Sequence, residues 1–429
     1  MYMNYLSLDG AARKAELDAL YAEYNKIKAG GISLDLSRGK PGADQLDITM
    51  GMLGVISHSN DCFTETGFDC RNYGNLDGLP EAKRLFSELL GIAPERIFIG
   101  GNSSLNMMYD TIARAMIYGM GEGNTPWSQQ GAIKFICLTP GYDRHFAICE
   151  TFGIDMIPVE LREDGPDMDV IRELVQNDPQ IKGIWCVPKY SNPSGTVFSD
   201  EVVRQFAALK PKAPDFRIFW DNAYAVHDLY DEKVELANIF DLADEYGTTD
   251  HILYFASTSK ISFPGSGVAL LATSEKNMEQ IKKIVSVQTI GHDKINQLRH
   301  VKYFQNAKGV RRHMRHHAEI IRPKFEAVLT ALREDLADTG VARWTEPKGG
   351  YFISLDVTTG SAKRVWNLAK EVGVTLTTAG ASFPYGHDPY DRNLRIAPTY
   401  PSLKDVKAAA KVLTLCVRIA ALEDLEANK

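Results

Sequence analysis

The sequence predicts an α/β protein built on a largely parallel sheet, with a second, smaller α+β unit toward its C-terminal side. Short apolar runs with the composition of doubly buried strands occur at 97–99, 133–138, 181–187, 216–220, 252–256 and 268–272. Such runs suit a sheet covered by helices on both faces. Helical patterns, for example at 105–118 and 202–209, separate the strands in a βαβ rhythm. A chain of 429 residues also exceeds what one core usually organises.

In chain order, apolar residues recur at near-helical spacing from Leu17 to Ile27, and Gly30-Gly31 stops that helix. An extended segment from Leu34 ends in a turn at Gly42. The loop from Asn72 to Pro80 feeds a helix over 81–90, with Gly91 as its stop. Beyond the last apolar strand, 295–336 is helical and highly charged, long enough to leave one domain and enter another. Residues 350–357 then read as extended, 362–372 as helical, 394–397 as extended and 403–425 as helical. This pattern divides the chain into an N-terminal segment (1–50) that packs with the small domain, a large domain (51–295) and a C-terminal small domain (296–429).

Composition narrows the function. Hydrophobic content of 44% with 24% charged residues is that of a soluble globular chain. A formal net charge of −7 gives no basic face able to neutralise nucleic-acid phosphates, so small metabolites are the expected partners. The six cysteines are scattered without a CxxC pair, and Cys137 and Cys186 sit inside apolar runs like small core residues. A reduced, cytoplasmic protein is the expectation, since neither a signal peptide nor a run of about 18 apolar residues is present.

Lys260 is the residue around which a function can be argued. It follows the apolar run at 252–256, with Ser257, Thr258 and Ser259 before it and Pro264-Gly265-Ser266-Gly267 after it. A lysine at a strand end is poorly hydrated. Desolvation lowers an amine's pKa and makes it a nucleophile toward an aldehyde cofactor. Taken alone, the stretch reads equally as a surface lysine in a polar turn. Ligands of open α/β sheets sit beyond the carboxyl ends of the strands, so the other strand ends decide. They supply Tyr142 within Pro140–His145, Asn192 within Asn192-Pro-Ser-Gly-Thr196, and Asp221 with Tyr224 three residues on.

These motifs, in this order on successive strands, resemble the fold-type I pyridoxal-phosphate (PLP) aminotransferases, and among them a divergent subgroup of class I aspartate aminotransferases. The resemblance runs from about Leu36 to the C-terminal helix and includes Gly349-Gly350-Tyr351-Phe352 and Asn393-Leu394-Arg395. It implies a large domain with a mostly parallel seven-stranded sheet, PLP as cofactor, amino acids and 2-oxo acids as substrates, and a homodimer with shared active sites.

The resemblance also implies roles. Lys260 would bind the cofactor covalently and shuttle a proton; Asp221 would hold the proton of the pyridine nitrogen. Tyr224 and Asn192 would hydrogen-bond the phenolic oxygen, and Tyr142 would stack on the ring. Asn102, Ser103, Ser104 and Ser257 would form the phosphate cup, with Tyr73 reaching it from the neighbouring subunit. Arg395 would grip the substrate α-carboxylate, beside Asn192 and the mobile backbone at Gly39. The chain departs from the family in one place: an arginine usually follows the lysine by eight residues, whereas the Pro264–Val268 turn is one residue shorter and has none.

Aspartate with 2-oxoglutarate is the expected substrate pair. Lys40, Arg144 and His292 are candidates for the distal carboxylate, and spacing does not choose among them. An alanine-preferring aminotransferase, a PLP-dependent lyase and a non-enzymatic PLP-binding regulator are the alternatives. The regulator is disfavoured because the residues before Leu34 hold one helix, too little for a winged helix-turn-helix. His313, His316 and His317 have helical spacing that suits a metal, but Arg311, Arg312 and Arg315 surround them, so a solvated cationic helix face is expected and no metal site. Gly265-Ser266-Gly267 leads into a strand and is not a dinucleotide motif.

Overall fold

The computed structural model describes residues 4–121, 123 and 125–427. Its main sheet has the strand order Ile97–Ile99, Ala269–Ala272, Ile252–Ser257, Arg217–Asp221, Ile181–Cys186, Lys134–Thr139, Asp155–Arg162 and Gly165–Pro166. The five strands from Ile252–Ser257 to Asp155–Arg162 are parallel to their neighbours, and antiparallel pairs close both ends. The expected seven strands become eight through the two-residue Gly165–Pro166 at the edge.

The central strands are buried along their whole length, with Ile181–Cys186 and Arg217–Asp221 buried at every position. That is why they read as unbroken apolar runs instead of alternating ones. Asp155–Arg162 has no counterpart among the predicted strands. Its burial alternates and it contains Pro158, which lacks a ladder donor. Proline is tolerated there because, on the strand's outer side, only Leu161 and Arg162 are paired.

Near the C-terminus, Ala342–Trp344, Ile353–Val357 and Asn393–Ile396 form a separate antiparallel sheet. Leu34–Asp35 pairs with Val374–Thr375 and ties the N-terminal segment to this part. Tyr5, Leu20 and Tyr24 are buried in the same core as Leu355, Leu394 and Leu413. One helix, Ala307–Leu336, joins the cores: Val310 and Met314 pack under the large sheet, whereas Ile321 to Leu336 pack in the C-terminal core. The helix Lys294–Phe304 belongs to the large core through Leu298 and Phe304. All six cysteines are free and buried. Among the described residues, no helix is long and apolar enough to cross a membrane.

The histidine cluster is not the solvated face expected. Arg311, Arg312, Arg315 and His316 are exposed, but His313 is 7% and His317 1% exposed. Spacing of three to four residues puts side chains on one face, yet cannot say whether that face meets solvent or protein. Here it turns inward. Both imidazole Nε2 atoms meet the carbonyl oxygen of Ile261, at 3.0 and 3.1 Å, directly after Lys260.

Candidate active site

Four parallel strands, Lys134–Thr139, Ile181–Cys186, Arg217–Asp221 and Ile252–Ser257, deliver their carboxyl ends to one cavity of about 250 Å³. Tyr142, Asn192, Asp221, Tyr224 and Lys260 line it from the strand ends. Ser103 and Ser104, at the start of the helix Ser104–Tyr118, and Ser257 line another wall; Gly39 and Phe352 line a third. A larger cavity of about 320 Å³ lies beside Glu88–Gly91, but volume does not identify the site. Convergence of the reactive groups does.

Lys260 sits in the turn after its strand, with Nζ 5.1 Å from the Tyr224 ring centroid and 6.0 Å from that of Tyr351. Desolvation lowers its ammonium pKa from the ordinary value, opposed by the charge of Asp221. Its backbone is fixed from below: Tyr351 donates to the Lys260 carbonyl at 3.5 Å, and His227 Nε2 lies 3.3 Å from the same oxygen. Burial holds His227 at about 3, so its ring is neutral.

Asp221 is 2% exposed at the end of its strand. His145 Nε2 donates to its Oδ2 at 3.1 Å, and the imidazole is stacked on Trp185 at 4.4 Å. The other carboxylate oxygen, Oδ1, is buried with no partner among the described residues. A buried acceptor of that kind calls for a donor from within the cavity. Tyr224 and Tyr142 have phenol pKa values raised well above the usual range, chiefly by burial, and remain neutral donors.

Arg395 stands behind two of the lining residues, Asn192 and Phe352. Its Nη1 donates to Asp143 Oδ1 at 2.8 Å and to Asn192 Oδ1 at 3.4 Å, and its Nε donates to Thr377 at 3.2 Å. The guanidinium carbon lies 5.1 Å from the centroid of the Phe352 ring. Gly39 packs so tightly there that a Cβ would come 2.1 Å from Phe352 Cζ.

Three predicted site residues do not line the cavity: Arg395, which reaches it through Asn192 and Phe352, and Asn102 and Tyr73, which stand apart. Asn102 is exposed and does not line the cavity, although it precedes Ser103 in the same turn. Tyr73 is 76% exposed and outside the cavity of its own chain. None of Lys40, Arg144 and His292 lines the cavity. Sequence reasoning passed over His145, Asp143, His227, Tyr351 and Phe352. His145 had a signal, since it stands three residues after Tyr142, in the first turn of the helix Asp143–Thr151; the Arg395–Asp143 contact spans 252 positions and had none.

The residues fit pyridoxal phosphate. The unpartnered Asp221 oxygen suits a protonated ring nitrogen, the desolvated Lys260 an aldehyde, and the helix start with Ser103, Ser104 and Ser257 a phosphate.

Comparison with known proteins agrees. The family model described as aspartate amino-transferase matches residues 8–429. An aspartate aminotransferase of Corynebacterium glutamicum is 45% identical over 401 residues, covering 94% of this chain and 92% of the relative. The crystal structure of an aspartate transaminase from that organism superposes with a TM-score of 0.96 at 43% identity, covering 99% of each chain. At 18% identity, the α-aminoadipate aminotransferase of Thermus thermophilus, complexed with N-(5'-phosphopyridoxyl)-L-leucine, shares the fold with a TM-score of 0.72 over 95% of each chain. This chain therefore belongs to the aspartate aminotransferase family and is a PLP-dependent aminotransferase of fold-type I.

Proposed function

We infer that the protein transfers an amino group between aspartate and 2-oxoglutarate, giving oxaloacetate and glutamate. The observation that carries this reading is the convergence of the desolvated Lys260 and the buried Asp221 with one free oxygen on one cavity, with the Arg395 guanidinium against its lining residues Asn192 and Phe352. The name of the 45%-identical relative supports the dicarboxylate pair.

When bound, PLP supplies an electron sink for the electron pair left at the substrate Cα once its proton is removed. Lys260 would hold the cofactor and then serve as base and acid, taking the substrate's Cα proton on Nζ and delivering it to the cofactor's C4′ within the same half-reaction, with the reverse transfer when the 2-oxo acid is aminated; its lowered pKa suits that task. Asp221 would keep the pyridine nitrogen protonated; His145 holds Oδ2, which leaves Oδ1 as the oxygen that would accept from it. Tyr224 donates to the phenolic oxygen. Asn192 does the same through its Nδ2, since its Oδ1 accepts from Arg395. Tyr142, which lines the same cavity, would cover the ring face. Ser103, Ser104 and Ser257, with the amides of the Asn102 turn, hold the phosphate.

Arg395 binds the α-carboxylate, which takes the place of Asp143 on the guanidinium; Gly39 provides backbone over it. The distal carboxylate of aspartate requires a second cation, because burying it unpaired would cost several kcal/mol. Burial lowers the pKa of His292, which disfavours it as that cation at neutral pH. Lys40, whose ammonium lies 4.1 Å from the Tyr400 ring centroid and which follows the lining residue Gly39, and the exposed Arg144, two residues after Tyr142, are left as candidates. We read the functional unit as a homodimer. Tyr73, Val287 (89% exposed) and Ile290 (59%) are apolar side chains in the open, and the Gly74 and Gly291 turns touch.

The test is kcat/KM for aspartate against alanine and phenylalanine. A desolvated ion pair gives aspartate an advantage of at least about tenfold, or 1.4 kcal/mol. Equal or better use of alanine would overturn the dicarboxylate assignment and leave the aminotransferase chemistry standing.

A further inference from the structure

The turn after Lys260 lacks the arginine that the family usually carries, and the residues lining the cavity include no cation besides Lys260 itself. A phosphate dianion held by hydroxyls and amides alone would leave its charge poorly compensated. The helix Lys294–Phe304 packs behind this turn. Asn296 Nδ2 donates to the Gly267 carbonyl at 2.7 Å, and Arg299 Nη2 donates to the Ser266 hydroxyl at 2.6 Å. The turn touches the phosphate cup on its other side: Pro264 lines the cavity, and a Cβ on Gly267 would lie 3.2 Å from the Asn102 carbonyl.

Arg299 is partly buried, and its charge is unmatched. Its hydrogen bonds go to the hydroxyl and carbonyl of Ser266 and to the side-chain oxygen of Asn296, all neutral acceptors. Among the described residues it makes no ion pair with a carboxylate, and its Nε is buried without an acceptor. Two well-buried cations, Lys182 and Lys324, have the carboxylates of Asp215 and Asp44, whereas the buried Arg217 and Lys294 bond, like Arg299, to neutral acceptors; of these three, Arg299 is the one bonded to the turn that follows Lys260. A guanidinium set behind the phosphate cup without a carboxylate is placed to serve another anion.

We propose that Arg299 supplies the positive charge for the phosphate of PLP in place of the missing arginine, acting across Ser266. A serine hydroxyl has one proton. When its oxygen accepts from a guanidinium, that proton is free to be donated onward, and the bond is strengthened by the charge behind it. Arg299 is on this account a positioning residue: Ser266 does not line the cavity itself but stands two residues after Pro264, which does, and Arg299 would orient and polarise its hydroxyl toward the phosphate. The proposal rests on the reading of the cavity as the PLP site.

The test compares wild-type holoenzyme with Arg299→Gln and Arg299→Lys. The expected result is PLP affinity weakened by about tenfold or more in Arg299→Gln, as for loss of a charge-assisted hydrogen bond, with most of it restored in Arg299→Lys. Phosphorus NMR of the bound cofactor supplies a readout that a merely structural role would not move. The wild-type signal stays flat through neutral pH because a paired phosphate remains a dianion, whereas in Arg299→Gln it titrates at or above the ordinary second pKa of about 6. PLP affinity within about twofold of wild type together with an unchanged phosphorus profile would overturn the proposal. If Arg299→Gln fails to fold, Ser266→Ala carries the same two readouts with the same outcomes. A wild-type protein with neither cofactor absorbance nor a phosphorus signal would instead overturn the reading of the cavity, and the proposal with it.

Discussion

Replacing His145 with phenylalanine isolates how this chain aims its buried carboxylate. The ring that stacks on Trp185 is kept in size, while the donor to Asp221 Oδ2, 3.1 Å away, is lost. Asp221 then has two buried oxygens without protein donors where it had one. A hydrogen bond to a charged group contributes about 1.5–3 kcal/mol, so kcat should fall by roughly 10- to 150-fold if that interaction holds Oδ1 toward the ring nitrogen. Because His145 acts through Asp221, the effects should not add. In an Asp221→Ala background, already far slower for want of a protonated pyridine, His145→Phe should cost less than about threefold more. Single-turnover rates with aspartate, measured at saturating cofactor for wild type, both single variants and the double variant, give the coupling directly. Additive losses, or a His145→Phe enzyme within about threefold of wild type, would refute the reasoning.

Other perturbations test separate parts of the account. Gly39→Ala should displace Phe352 from beneath Arg395, since its Cβ would come 2.1 Å from the ring, raising KM for aspartate about tenfold without releasing PLP. An unchanged KM would show that the glycine is not needed there. Burial holds His227 and His317 at about 3 and His300 at about 4, against about 6.5 in the unfolded chain. The unfolded state therefore binds more protons below about pH 6.5, and stability present above that pH is lost as pH falls toward 4, by up to about 2 kcal/mol per imidazole at pH 5. Urea midpoints at fixed protein concentration should drop between pH 7 and 5; a rise would contradict the buried neutral rings. Mixing Tyr73→Ala with Lys260→Ala subunits should restore some activity through hybrid dimers, and no rescue under demonstrated subunit exchange would remove Tyr73 from the neighbouring site.

Much of this architecture was legible because parallel strands buried on both faces leave apolar runs in the sequence, and the residues just past them are the ones a ligand meets. Lys260, Asp221, Tyr224, Asn192 and Tyr142 could be picked out that way and line one cavity. What escaped had a physical reason in each case. Pro158 hid the strand Asp155–Arg162, because its tolerance depends on a mostly unpaired outer edge that only the sheet order reveals. The inward turn of His313 and His317 depends on what packs over a helix, which periodicity alone does not contain. The contacts of Arg395 with Asp143 and of Arg299 with Ser266 join elements far apart in the chain.

The central claim is transamination, and a single half-reaction tests it most directly. Holoenzyme mixed with aspartate and no 2-oxo acid should release one equivalent of oxaloacetate per subunit and stop, with the amino group retained on the bound cofactor; adding 2-oxoglutarate should then yield one equivalent of glutamate. Continuous release of ammonia from aspartate in the absence of a 2-oxo acid, with no amino group retained, would contradict it.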